Sequence, residues 1–224
     1  MIILVVDTSG KQGSIALAEC GPGEECEILQ VVALSGGAFS AQLVPQIAEL
    51  LAKHGLTKHD IAGFAVASGP GSFTGLRVGL AAIKALAEAL AKPIAALSLL
   101  RAVAVAATPN TKIFAALDAG RGEIYLGEYK AGKLTDFGER LLTREDFLVH
   151  AKDRGVATPD AWIAEAARAA GIEAVIVERP SSAEIASLGW KDLQAGLTVS
   201  PEDLDANYVR RSDAEIFAKP GSKS

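Results

Sequence analysis

The chain predicts an α/β protein built of two successive lobes, on three observations. β-branched and alternating runs near the N-terminus give way to stretches of helical periodicity. A buried strand that ends in aspartate, turns through small residues and returns as an alternating strand occurs at 3–17 and again at 114–126. The 224 residues, 50% apolar and 22% charged, provide interior for one large or two smaller domains.

Taken in order, residues 2–6 are a continuous apolar, largely β-branched run that stops at Asp7. Residues 14–19 alternate Ile15 and Leu17 with small or polar side chains. With 28–34 they complete three strands joined by short turns, an antiparallel meander. A helix is predicted over about 40–54, with Leu43, Ile47, Leu50 and Leu51 on one face and an irregularity at Pro45. A strand at 61–67, a long helix at 76–91, a strand at 94–97 and a helix at 98–107 follow. Three strands and then helix-strand-helix-strand-helix is the element order of a ribonuclease-H-like lobe, and actin-like ATPases and sugar kinases use two copies of it. The expected lobes are residues 1–110 and 111–224. In the second, Phe114–Asp118 and Gly122–Leu126 echo Ile3–Asp7 and Gly13–Leu17, with a turn two residues shorter. Beyond Tyr129 the pattern loosens to helices at 143–153, 160–170 and 182–195 and short strands at Val156 and 174–177. The fold expected is therefore the actin-like ATPase (ASKHA) fold with an abbreviated second lobe.

A net charge of −5 and a pI near 5.3 argue against unaided nucleic-acid binding, and Arg210–Arg211 is the only adjacent basic pair. The alanine-rich stretch 76–107 is broken by Lys84, Glu88, Lys92, Pro93 and Arg101, so it holds no apolar run long enough to span a membrane. No basic segment precedes the apolar start, so a reducing, cytoplasmic location is expected. Cys20 and Cys26 flank a hairpin turn whose geometry admits a cross-strand bridge, but in a reducing location free thiols are expected, and without nearby histidines they make a poor zinc site.

The densest local signal is residues 67–79, where Gly69, Gly71 and Gly75 join a strand to a helix. Unpaired N–H groups at a helix start can hold an anion, or the glycines can serve close backbone packing. The spacing is neither the dinucleotide fingerprint nor a Walker loop. Asp7, Thr8 and Ser9 stand where actin-like kinases place Mg²⁺ and phosphate, although Thr8 occupies a position those loops give to glycine. Asp7 can equally cap its own turn. Asp118, with Arg121 and Glu123, is the matching position across the expected cleft, and Asp118 with Arg121 can equally be a surface pair. Three carboxylates divided between two lobes do not make a two-metal nuclease. His54, His59 and His150 are scattered, with no nucleophile beside them. No catalytic residue, metal or cofactor is expected, and the competing reading is a small kinase or ATPase that uses Asp7, Thr8 and Asp118 around Mg-ATP.

The long helix carries two apolar stripes. Leu76, Leu80, Ile83, Ala87 and Leu90 form one, and Gly75, Gly79, Ala82, Leu86 and Ala89 form a second of smaller residues. Such a helix must be covered on more than one side, either within the monomer or by a partner chain. The candidate partner interface comprises Leu43, Ile47, Leu51, Leu76, Gly79, Leu80, Ala82, Ile83 and Leu86.

Four motifs, Val6-Asp-Thr-Ser9, Ser68-Gly-Pro-Gly-Ser-Phe-Thr-Gly-Leu-Arg77, Leu117-Asp-Ala-Gly-Arg-Gly-Glu-Ile-Tyr125 and Asn207-Tyr-Val-Arg210, resemble the TsaB (YeaZ) family, in order and along essentially the whole chain. The resemblance implies a role in forming N6-threonylcarbamoyladenosine at position 37 of tRNAs that read codons starting with A. In that system TsaD carries the metal and transfers the threonylcarbamoyl group, and TsaE is a P-loop ATPase. TsaB is a partner subunit without a complete active site. It implies pairing with TsaD through the first-lobe helices, a ternary complex with TsaE, a homodimer when alone, and tRNA contact only through partners. One departure is Phe39, where the family commonly has a histidine. TsaD uses histidines on this helix as metal ligands, so Phe39 counts against metal-dependent catalysis here.

Overall fold

A computed structural model describes residues 1–23, 25–107, 112–207 and 209. The basic pair at 210–211, and Tyr208 and Arg210 of the fourth motif, lie outside the described residues. The first half contains β1 (Ile2–Asp7), β2 (Gly13–Cys20), β3 (Cys26–Leu34), α1 (Phe39–Lys53), β4 (Ile61–Gly69), α2 (Phe73–Leu90), β5 (Ile94–Ser98) and α3 (Leu99–Ala107). The second contains β6 (Lys112–Gly120), β7 (Glu123–Lys130), β8 (Lys133–Thr143), α4 (Arg144–Ala151), β9 (Val156–Thr158), α5 (Ala161–Ala169), β10 (Ala174–Ile176) and α6 (Ser182–Gln194).

The two sheets have one topology. The first runs β3-β2-β1-β4-β5 and the second β8-β7-β6-β9-β10. In each, three strands form an antiparallel meander and two more add parallel to the founding strand. The duplication read from the two aspartate strands therefore extends to all five strands. Strand β8 is absent from the sequence reading. It is a polar edge strand in which the described side chains are half-buried or exposed and Gly138 takes a positive φ of 73°.

Period-two alternation distributes the core. From the first sheet Leu4, Val6, Ile15, Leu17, Phe64 and Val66 face α1 and α2, while Ile3, Val5, Ala16, Ala18, Ala65 and Ala67 face the opposite way. The second sheet turns Ile113, Ala115, Leu117 and Tyr125 toward α3, and Phe114, Ala116, Ile124 and Leu126 toward the layer of α4 and α5. The result is five layers, helix-sheet-helix-sheet-helix.

Helix α6 departs from the expected division at residue 110. It packs on the first sheet, where Ile185, Ala186, Leu188 and Trp190 cover Ile3, Val5, Ala65 and Ala67. Gly189 permits this approach, because a Cβ there would stand 2.4 Å from that of Ala65. The Trp190 indole N–H is shared between the carbonyls of Gly21 and Gly23, at 3.0 and 2.9 Å, and Ser182 meets Ser14 hydroxyl to hydroxyl at 2.8 Å. A bidentate ion pair, Arg101 to Asp192 at 2.5 and 2.9 Å, joins α6 to α3.

The expectation of free thiols is overturned. Cys20 and Cys26 are opposed in the β2–β3 register, their Cα atoms 4.2 Å apart, and they form a disulfide. Pro45 lies inside α1, on its exposed side. Among the described residues no helix is long and apolar enough to cross a membrane.

Candidate functional site

The glycine block serves backbone packing. The β1–β2 turn lies directly on the first turns of α2, and the Ser72 N–H donates to the Ser9 carbonyl at 2.6 Å. A Cβ on Gly71 would sit 2.5 Å from the Ser9 carbonyl oxygen, one on Gly75 2.0 Å from that of Thr8, and one on Gly79 2.3 Å from the Thr8 hydroxyl. The start of the helix is thus met by main-chain carbonyls of β1's own turn, and the Ser72 hydroxyl caps it by accepting from the Gly75 N–H at 3.3 Å. Phe39 is buried here, its ring 2.9 Å from where a Cβ on Gly13 would stand. The side chain at the family's histidine position is part of the first-lobe core.

Asp7 bonds within its turn, accepting from the Ser9 N–H at 2.8 Å and the Ser9 hydroxyl at 2.6 Å. Asp118 does the same in the second lobe, accepting from the Gly120 N–H at 2.8 Å. Both strand-ending aspartates therefore cap turns, the alternative the sequence left open. The intervening turn in the second lobe has two residues, Arg121 and Gly122, with φ of 57° and 79°, the left-handed pair a tight hairpin needs.

Between the lobes lies a cleft of about 1240 Å³. Ser9, Asp118 and Arg121 line it as expected; Asp7 and Thr8 do not. Its walls carry Lys11, Arg77, Arg121 and Arg179 against Asp118 and Asp160. Asp160 accepts from Arg179 and, at 2.8 Å, from the backbone N–H of Asp118. The guanidinium of Arg77 stacks 3.8 Å from the centroid of the Phe73 ring. Among the described residues no three His, Cys, Asp or Glu side chains converge as metal ligands. Lys11, Arg77 and Arg179 were not anticipated as cleft residues; Arg77 closes the glycine motif, whereas nothing around Lys11 or Arg179 marks them.

The candidate interface needs correction. Leu43, Ile47, Leu51, Leu76, Gly79, Leu80 and Ile83 are buried between the helices and the first sheet, so they cannot meet a partner; Ala82 and Leu86 are half-buried. The face of α2 that reaches solvent is the opposite one, with Ala81, Ala85 and Ala89, and α1 exposes Ala41, Val44, Pro45, Ala48 and Ala52. Val44 is 56% exposed and Phe73 38%.

Two lobes of identical strand order, facing each other across a cleft lined by their founding-strand turns, define an actin-like protein. Comparison with known proteins narrows this. Residues 33–198 match the family model for TsaD, tRNA N6-adenosine threonylcarbamoyltransferase. The tRNA threonylcarbamoyladenosine biosynthesis proteins TsaB of Haemophilus influenzae and Bacillus subtilis are 34% and 35% identical over 65% and 60% of this chain. The matches span 61% and 58% of those proteins. An uncharacterized protein of Mycobacterium tuberculosis is 31% identical over 84% of this chain and 82% of its own. The solved structure of YeaZ from Pseudomonas aeruginosa superposes with a TM-score of 0.70 at 25% identity, covering 92% of this chain and 99% of that one. The chain belongs to the TsaB (YeaZ) family.

Proposed function

We propose that this chain is the non-catalytic partner subunit of the system that places threonylcarbamoyl on N6 of adenosine 37 in tRNA. In this reading it pairs with TsaD through the outer face of α1 and α2, and it takes up TsaE in a ternary complex. The same face forms a homodimer when TsaD is absent. One observation carries the reading. The two outer helices turn Ala41, Ala48, Ala52, Ala81, Ala85 and Ala89, with Val44 and Phe73, toward solvent among charged side chains such as Glu49 and Glu88, while the leucines and isoleucines of the inner face are buried in the core. Small side chains let a second helical layer approach closely. The net charge of −5 fits a subunit whose RNA contacts come from its partners.

The kinase reading has less support. The Asp7 carboxylate is engaged by Ser9, and the carbonyls of Thr8 and Ser9 crowd the helix start where phosphate oxygens would have to lie.

The test is light scattering of this chain mixed with the TsaD of the same organism, each also run alone. A mixed dimer is expected, and Ala85→Glu, an exposed change, should abolish it while leaving the circular dichroism unchanged. Two proteins that stay separate at micromolar concentration, or an Ala85→Glu chain that still pairs, would overturn the assignment.

A further inference from the structure

The last described segment crosses between the lobes as a strap. Leu204 and Ala206 are buried in the first-lobe core under α2, whereas Val209 packs on the cluster of Leu117, Tyr125 and Tyr129 in the second lobe. At the crossing point stands Asn207. Its backbone N–H donates to the Ser68 carbonyl at 2.8 Å, and its side-chain amide donates to Glu139. It forms a wall of the large cleft and also of a second pocket, of about 320 Å³, lined by Ser98, Arg101, Tyr129 and Glu139.

Glu139 lies on β8, the edge strand of the second lobe, and its carboxylate gathers three parts of the chain. One oxygen accepts from the Ser98 hydroxyl at the end of β5 and from the Tyr129 phenol on β7, and the other accepts from Asn207. The Ser98 oxygen accepts from the Leu100 N–H at 3.2 Å, which leaves its proton for Glu139. Three donors on one group need an acceptor-only side chain; an amide would turn an NH₂ toward at least one of them. Gly127, opposite Glu139 in the β7–β8 register, makes the arrangement possible. A Cβ there would stand 2.9 Å from the Tyr129 ring and 3.1 Å from Cγ of Glu139.

We propose that Glu139 is a latch: its carboxylate holds the strap across the cleft at Asn207 and ties the second lobe to the end of β5, so strap release and lobe movement are one event. Because Asn207 is a wall common to both cavities, unlatching joins the pocket to the cleft and widens the space between the lobes. The latch is independent of the partner assignment above.

Hydrogen exchange of the whole chain, read by mass spectrometry, tests this. In Glu139→Gln, exchange over residues 203–207 and 97–100 should rise by roughly tenfold or more, the loss expected for one charge-assisted bond, with β1, β4 and α1 unchanged. Asn207→Ala should reproduce the strap effect, and the double variant should exchange no faster there than either single one. A folded Glu139→Gln protein with unchanged strap exchange overturns the proposal. So does a uniform rise throughout the molecule, or additivity in the double variant. If Glu139→Gln does not fold, Ser98→Ala, which leaves the carboxylate in place, must show the local rise at 97–100; its absence is equally fatal.

Discussion

Gly75→Ala is the most direct test of why the glycine block exists. Gly75 lies inside α2, where alanine would ordinarily stabilise by up to about 1 kcal/mol. Here the new methyl would stand 2.0 Å from the Thr8 carbonyl oxygen and 3.3 Å from the Phe39 ring. To reach even a 3.0 Å contact the carbonyl must retreat by about 1 Å, and it belongs to the β1–β2 turn that also carries the 2.6 Å bond from Ser72 to Ser9. Overpacking against backbone of this kind costs about 1–3 kcal/mol in excess of the propensity gain, so a net loss of about 2 kcal/mol is expected. For a chain of this length that is a fall in Tm of roughly 4–8 °C. Urea unfolding followed by the fluorescence of Trp162 and Trp190 measures it. Gly79→Ala supplies the internal contrast, because its methyl meets the Thr8 side chain, 2.3 Å from the hydroxyl, not the backbone. In a double-mutant cycle Thr8→Ala should therefore recover much of the Gly79→Ala loss and none of the Gly75→Ala loss. A Gly75→Ala protein as stable as wild type would refute the packing account and return the anion-site reading to consideration.

Three further outcomes follow from the core. Arg101→Met leaves the Asp192 carboxylate, 7% exposed, without its partner and should cost about 3 kcal/mol in urea; adding Asp192→Leu should recover most of that, and no recovery would show that the pair itself stabilises. Burial, followed by the charge of Glu139, holds the Tyr129 phenol well above its ordinary range. A raised folded-state value means the contribution is complete below pH about 10 and lost as pH climbs further, so wild type should lose stability above pH 10 and Tyr129→Phe should lose less; parallel curves would refute it. Reduction of Cys20–Cys26, a bridge with a sequence separation of 6, should lower stability by roughly 2 kcal/mol, and an unmoved urea midpoint in dithiothreitol would contradict that.

The founding strands, the first-lobe meander and the first-lobe helices were legible because their apolar periods are strong and their turns carry glycine. The β8 strand was not: its eleven residues, from Lys133 to Thr143, are mostly polar or half-buried, and an edge strand next to one covered neighbour has no need of clean alternation. The two apolar stripes of α2 were read as a helix covered on more than one side; in the second stripe Gly75 and Gly79 are buried against the β1–β2 turn, Ala82 and Leu86 are half-buried and Ala89 is exposed. A helix that buries Gly79, Leu80 and Ile83 against a sheet can present only the opposite arc to solvent, which selects Ala81, Ala85 and Ala89 in place of the leucines first singled out. Small residues score weakly in any hydrophobic pattern, so the exposed alanines of α1 and α2 are hard to single out before the core is known. The turn aspartates were placed in the right loops, but their capping role depends on where Ser9 and Gly120 fall in three dimensions. Nothing in sequence joins Glu139 to Ser98 and Asn207, which are 41 and 68 residues away.

The return of α6 to the first sheet sets the order in which the protein can be completed during synthesis. Ile3 and Val5 are synthesised long before Ile185 and Trp190, which cover their inner face. At roughly 5–20 residues per second the gap is on the order of 10–40 s. Throughout that interval the first sheet presents Ala16, Ala65 and Leu97 on an open side. A chain stopped near residue 110 therefore lacks the α6 residues that cover one face of the first sheet.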